Sequence, residues 1–177
     1  HRWNRPVYDI SGGNPHLRVE NRVLPAGPTV VDTMANAAFF AGLVRALAQQ
    51  ERPIWSRMSF SAAADNFAAG IRSGIAADLY WPQVGQVPVA ELVVRKLLPL
   101  AADGLRLWEV DEGEISRLLG IIEARCLGAR NGATWQTAEV ASREAAGASR
   151  TNALHGMLGR YVELMHSNEP VHTWKVS

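Results

Sequence analysis

Residues 16–24, His-Leu-Arg-Val-Glu-Asn-Arg-Val-Leu, alternate with period two, and that spacing predicts a β-strand. One face carries His16, Arg18, Glu20, Arg22 and Leu24; the other carries Leu17, Val19, Asn21 and Val23. Residues 3–10 have a similar β-favouring content around Val7 and Tyr8. The intervening Ser11-Gly12-Gly13-Asn14-Pro15 is a turn cluster, so the two segments are expected to pair as a hairpin. Arg2 and Arg5 would then flank the charged face, unless they are plain surface residues at a sheet edge. After the Pro25-Ala26-Gly27-Pro28 turn the period changes to that of a helix. Thr29 is an N-cap candidate and Asp32 brings a negative charge to the first turn of a helix over 29–50. That helix is apolar almost all round, which predicts a central position. Asp32 and Asn36 share one face at i, i+4 spacing. They are either a cap with a hydrogen-bonded Asn, or polar groups close to the strand arginines.

Further helices are expected over 59–74, 89–102, 113–127, 132–146 and 152–167. A second short hairpin is expected near 77–88. The last helix has a stripe at Leu154, Met157, Leu158, Tyr161, Leu164 and Met165, read as core. The tail, 168–177, has no clear period. The fold class is thus α+β and predominantly helical: a small antiparallel sheet backed by helices. The 177 residues form a single unit, with a hairpin in 1–28 and a mostly helical remainder in 29–177.

Composition narrows the chemistry. Hydrophobic residues make up 47% and charged residues 20%, values of a soluble globular protein. The net charge of +1 gives no bulk attraction to nucleic acid, and basic residues do not alternate with aromatics as a nucleic-acid groove requires. The uncharged apolar run from Ala37 to Val44 is too short to span a bilayer. No disulfide is possible within a chain whose one cysteine is Cys126, which lies in an apolar helix as a buried, inert thiol would. A cytoplasmic location is expected. The chain opens at His1 inside a strand-like segment, which leads us to expect a fragment of a longer protein. His155 and His166 are too far apart for a metal motif, and no phosphate-binding glycine loop or nucleophile elbow occurs. Arg18, Glu20 and Arg22 remain. On a strand they point one way, and a carboxylate with guanidinium groups suits a magnesium–phosphate ligand. A solvated salt-bridge ladder has the same spacing.

The segment Val19-Glu20-Asn21-Arg22-Val23, followed by a proline-containing turn and a Thr/Val/Asp helix start, resembles the Glu-x-Arg strand of glutamate–cysteine ligase family 2, the bacterial carboxylate–amine ligases. Asn66 with Arg72-Ser73-Gly74 is similar to that family's Asn…Arg-x-Gly stretch. Asn131-Gly132-Ala133-Thr134-Trp135-Gln136 is similar to its Gly-Ala-Asp-Arg-Gln segment, with Thr134-Trp135 where the family has Asp-Arg. The stretch from His166 to Trp174 looks like the tail of an actinobacterial-type branch. The likeness spans most of 16–137 and only the C-terminal part of the family. It implies part of a glutamine synthetase-like fold, a sheet funnel backed by helices. It also implies ATP and Mg²⁺ as cofactors, and glutamate or a similar carboxylate with an amine such as cysteine as substrates. On this resemblance Glu20 is a Mg²⁺ ligand, Arg22 and Arg18 act on the transferring phosphate, and Asn66 and Arg72 bind substrate. A missing N-terminal part of the same protein would supply the opposite wall, a homo-oligomer is possible, and the fragment alone would be inactive. The alternative is a non-catalytic helical module for dimerisation or regulation.

Overall fold

A computed structural model describes residues 4–24 and 26–177; Arg2, Trp3 and Pro25 lie outside the described residues. Strands β1 (Asn4–Ser11) and β2 (Asn14–Asn21) pair antiparallel around Gly12 and Gly13, which turn the chain with φ of 57° and 80°. The register sets Arg5 opposite Glu20, Val7 opposite Arg18 and Asp9 opposite His16. Directly opposed residues share a face, so the polar and apolar faces follow the alternation read from the sequence. The second strand stops at Asn21 instead of continuing to Leu24. There the Asn21 side chain accepts a hydrogen bond from the Val23 N–H at 3.2 Å, a local turn that replaces the ladder.

Helix α1 (Val30–Ala48) starts where expected: Thr29 Oγ1 accepts from the Asp32 N–H at 3.1 Å. Its central position holds only in part. The buried residues are Asp32, Ala35, Gly42 and Ala46, while Val30, Met34 and Val44 are exposed. The reason is a narrow small-residue seam. Gly42 lies against the backbone of Ala101, and Gly104 against that of Gly42, so closely that a Cβ on either glycine would overlap a carbonyl oxygen. Such a crossing brings two backbones together and leaves the bulky residues of α1 outside it. Among the described residues α1 is the one helix long and apolar enough, by length and composition, to cross a membrane; here its seam is packed against protein.

The partner across the seam is one continuous helical run: α3 (Val89–Leu92), a π-helical turn (Val93–Leu97) and α4 (Leu98–Arg106). Pro99 lacks an N–H and crowds the carbonyl one turn earlier; the wider π turn sits just before it. Helix α5 (Glu112–Leu127) is capped by Asp111, whose Oδ1 accepts from the Gly113 and Glu114 N–H groups. It packs Ile115, Leu118, Leu119 and Ile122 into the main core with Leu92, Leu97, Leu98 and Leu105. Helix α2 (Phe60–Ser73) and the hairpin β3 (Asp78–Trp81) and β4 (Gly85–Pro88) lie where the sequence placed them.

A second, smaller core forms around the tail. Helix α6 (Gly132–Ala145) brings Trp135, and helix α7 (Arg150–Ser167) brings Met157, Tyr161 and Leu164. These enclose Val171 and Trp174, both fully buried despite the lack of period. Trp135 and Trp174 meet edge to face at 5.2 Å, and Tyr161 and Trp174 at 5.4 Å. The tail is fixed by its backbone: Arg130 donates to the Trp174 carbonyl at 2.7 Å and the Ser177 N–H donates to Glu139 Oε2 at 2.8 Å. The expected core stripe of α7 is therefore only half used. Leu154, Leu158 and Met165 are exposed, because one side of the helix faces the aromatic cluster and the other faces solvent.

Candidate functional site

The hairpin brings Arg5, Arg18 and Glu20 to one polar face, and Arg22, just past the end of β2, reaches Glu20. Arg5 Nε lies 2.6 Å from Glu20 Oε2, and Arg22 Nε lies 3.2 Å from the same oxygen. Glu20 is thus a carboxylate held between two guanidinium groups. Pairing with Arg22, against a smaller cost of desolvation, holds its carboxyl below the usual range. One step along the strand, Arg18 pairs with Asp9 across the ladder and lies 3.2 Å from His16 Nε2. The Arg18 bond, helped by the Ile10 N–H, depresses the Asp9 pKa. All of these side chains are well exposed, Glu20 at 37% and Arg22 at 50%. At such exposure solvent screens each pair, which adds little to stability.

Opposite this polar face the hairpin is apolar. Near its base Val19 and Val23 line a cavity with Phe40 and Val44 of α1 and Phe67 of α2. Farther out, Tyr8, Ile10 and Leu17 are exposed.

The other expected site residues lie elsewhere. Asn66 is bound twice to the backbone of Tyr80: its Nδ2 donates to the carbonyl at 2.8 Å and its Oδ1 accepts the N–H at 2.7 Å. An amide engaged in this way pins α2 to β3 and has a structural task. Arg72 is exposed in the last turn of α2. Asp32 and Asn36 do not meet the strand arginines. They meet Arg125 of α5, which donates to Asn36 Oδ1 at 2.7 Å and to the Asp32 carboxylate through its other terminal nitrogen. Asp32 also accepts the Thr29 hydroxyl at 2.8 Å and the Val171 N–H at 3.1 Å. Helix α1 faces α5 with that side, so the acid serves the core.

No group of three or more metal-ligating side chains occurs among the described residues. A single Glu20 carboxylate clamped by two arginines does not suit a resident Mg²⁺, which favours one or two free carboxylates beside phosphate oxygens; the anion-binding groups of this face are the guanidinium groups of Arg5, Arg18 and Arg22. Cys126 is half-buried and burial pushes its thiol up, as for an inert cysteine.

Arg125, the buried partner of Asp32 and Asn36, belongs to no sequence motif. It falls on the buried stripe of α5, ten residues after Ile115 and three after Ile122, where a charge requires a partner. Beside it lies a cavity of about 580 Å³ between α1, α5, α6 and α7. Compared with protein-family models, with curated proteins and with solved structures, the chain has no match.

Proposed function

We propose that this chain forms one wall of an ATP-dependent carboxylate–amine ligase of the glutamate–cysteine ligase type, working in the cytoplasm on a glutamine synthetase-like sheet. The observation that carries this reading is the hairpin register. It gathers Arg5, Arg18 and Glu20 on one face, to which Arg22 is tied just past the strand end by its ion pair with Glu20, and sets the base of the opposite face across a cavity from Phe40, Val44 and Phe67. A sheet face lined with arginines and a carboxylate is the form that the family resemblance leads one to expect.

In this reaction ATP phosphorylates the carboxylate of a glutamate-like acid. An amine, such as that of cysteine, attacks the acyl phosphate; the C–N bond forms and phosphate leaves with the C–O electron pair. Phosphoryl transfer asks for alignment and charge neutralisation more than for covalent help. Arg22 neutralises the transferring phosphoryl group, and Arg18 assists once a ligand competes with Asp9. Glu20 holds Arg22 and Arg5 in place between turnovers. Mg²⁺ is the usual companion of ATP phosphates; Glu20 would be open to it only once Arg5 and Arg22 turn to the phosphates, and no step depends on that contact. Asn66 acts by shaping the scaffold and Arg72 by attracting an anionic substrate. The test is phosphate release by the full-length natural protein supplied with ATP, Mg²⁺, glutamate and cysteine. Release that needs both the acid and the amine supports the ligase; release indifferent to them contradicts it.

One observation favours a second reading, a dimerisation or regulatory module: the exposed apolar residues Tyr8, Ile10, Leu17 and Val19. Sedimentation separates the two. A dimer of the 177-residue chain that L17S/V19S abolishes, together with no substrate-dependent phosphate release, would establish the module.

A further inference from the structure

The cavity beside Arg125 contains none of Arg18, Glu20, Arg22, Asn66 or Arg72, and the ligase reading leaves it without a task. Its polar lining holds part-exposed donors that no acceptor among the described residues takes up. Arg125 is 8% exposed. Its terminal nitrogens are engaged by Asn36 and Asp32 and its Nε is sealed from solvent, so it lends the cavity positive charge and no free donor. Gly132 and Ala133 occupy the first turn of α6, where backbone N–H groups have no acceptor within the helix. Asn131 Oδ1 takes the Thr134 N–H at 3.0 Å and leaves those two free. The Gln136 carboxamide and the Tyr161 hydroxyl also line the cavity, without a hydrogen-bond partner among the described residues.

We propose that this cavity binds a small monocarboxylate with an apolar body. Asp32 already balances the Arg125 charge. What remains is the partial positive charge of the α6 N-terminus with a set of neutral donors, which matches one negative charge and not two. Phe39, Phe40 and Leu43 of α1 supply an apolar wall for the rest of the ligand. About 580 Å³ lies in the range of small-molecule pockets. The donors are held in place. Tyr161 is fixed by its ring contacts with Trp135 and Trp174, and burial, with the nearby Asp32 charge, pushes its hydroxyl pKa up. Gly132 lets the loop at Pro28 close on the helix start, since a Cβ there would come within 2.9 Å of Pro28 Cγ. Gly132, Ala133 and Gln136 lie in a segment that the ligase resemblance includes, but the ligase reading gives them no role, and the test reads no ATP chemistry.

The test is a titration of the ¹⁵N-labelled 177-residue chain, followed by NMR. The probes are 3-phenylpropionate, indole-3-acetate and hexanoate, with 3-phenylpropan-1-ol as the neutral control. The expected result is a saturable shift of the Gly132 and Ala133 amides and of the Gln136 side-chain amide with at least one carboxylate, with affinity about tenfold weaker or worse for the alcohol. Gln136→Leu and Tyr161→Phe should each weaken the carboxylate roughly fivefold while the rest of the spectrum stays in place. The proposal is overturned by no saturable shift with any of the three carboxylates, by equal affinity for the alcohol, or by unchanged affinity in both variants.

Discussion

Asp32 joins three parts of the chain at once: the cap at Thr29, the α5 guanidinium of Arg125, and the tail N–H of Val171. Removing one member of a buried pair leaves the other charged and alone, which costs about 3–5 kcal/mol. Asp32→Ala is therefore expected to lose stability of that order in urea denaturation. Asp32→Leu combined with Arg125→Met should cost clearly less than the two single changes added together, because the pair acts as one unit. The acid titrations give a second prediction. Burial opposes ionisation of Glu139, yet the Ser177 N–H and Arg143 outweigh it and hold its carboxyl below 4.5. His172 is held below 6.5 by burial first and then by Arg125. In both cases the unfolded chain binds more protons than the folded one in acid, so stability is full above the ordinary value and falls as pH drops. Thermal melts should lose midpoint from about pH 6.5 downward and again below about 4.5. His172→Gln should flatten the first limb and Glu139→Gln the second. A melt independent of pH between 7 and 4 would contradict both assignments. Half of the Asp32 network was legible: an acid inside an apolar helix and an arginine on an apolar stripe each call for a partner. That they find one another across 93 residues was not, since no local period carries that pairing.

Among the elements, the seam between α1 and α4 offers the sharpest contrast. Gly104 and Gly159 are both helical glycines, but a Cβ at Gly104 would overlap the Gly42 carbonyl, whereas at Gly159 it meets open space. Gly104→Ala should cost about 1–3 kcal/mol or more through overpacking. Gly159→Ala should gain up to about 1 kcal/mol from helix propensity. Equal effects in denaturant titrations would rule out the seam. Helix positions were readable because the Thr29 cap and the Leu154 to Met165 stripe are local signals; the caps at Asp111 and Asn131 emerge only from the structure. Which face of α1 is buried was not readable, because a helix apolar on all sides gives no direction; the glycines decide it. The β1–β2 hairpin is the opposite case: its alternation was plain, but two strands alone are marginally stable in water. Amides of β1 and β2 should exchange with solvent well before those of α4 and α5 in the 177-residue chain.

For the whole molecule, two cores meet at Asp32, Arg125 and the tail, and the charged hairpin face stands outside both. The α+β architecture was legible from period and turns. The charged face was legible too, as alternation of Arg18, Glu20 and Arg22; its pairing with Arg5 and Asp9 required the register. The aromatic core around Val171 was hidden, because an extended tail buries residues without any repeat. The central claim is that the hairpin face handles a phosphoryl group. Its most direct measurement is kcat for substrate-dependent phosphate release by the full-length protein with Arg22→Ala, beside Arg22→Lys. A lost phosphate contact in a closed site is worth roughly 10²-fold, so Arg22→Ala should lower kcat by about that factor, with partial recovery in Arg22→Lys. Turnover unchanged by Arg22→Ala would show that this face is a solvated ladder and not the wall of an active site.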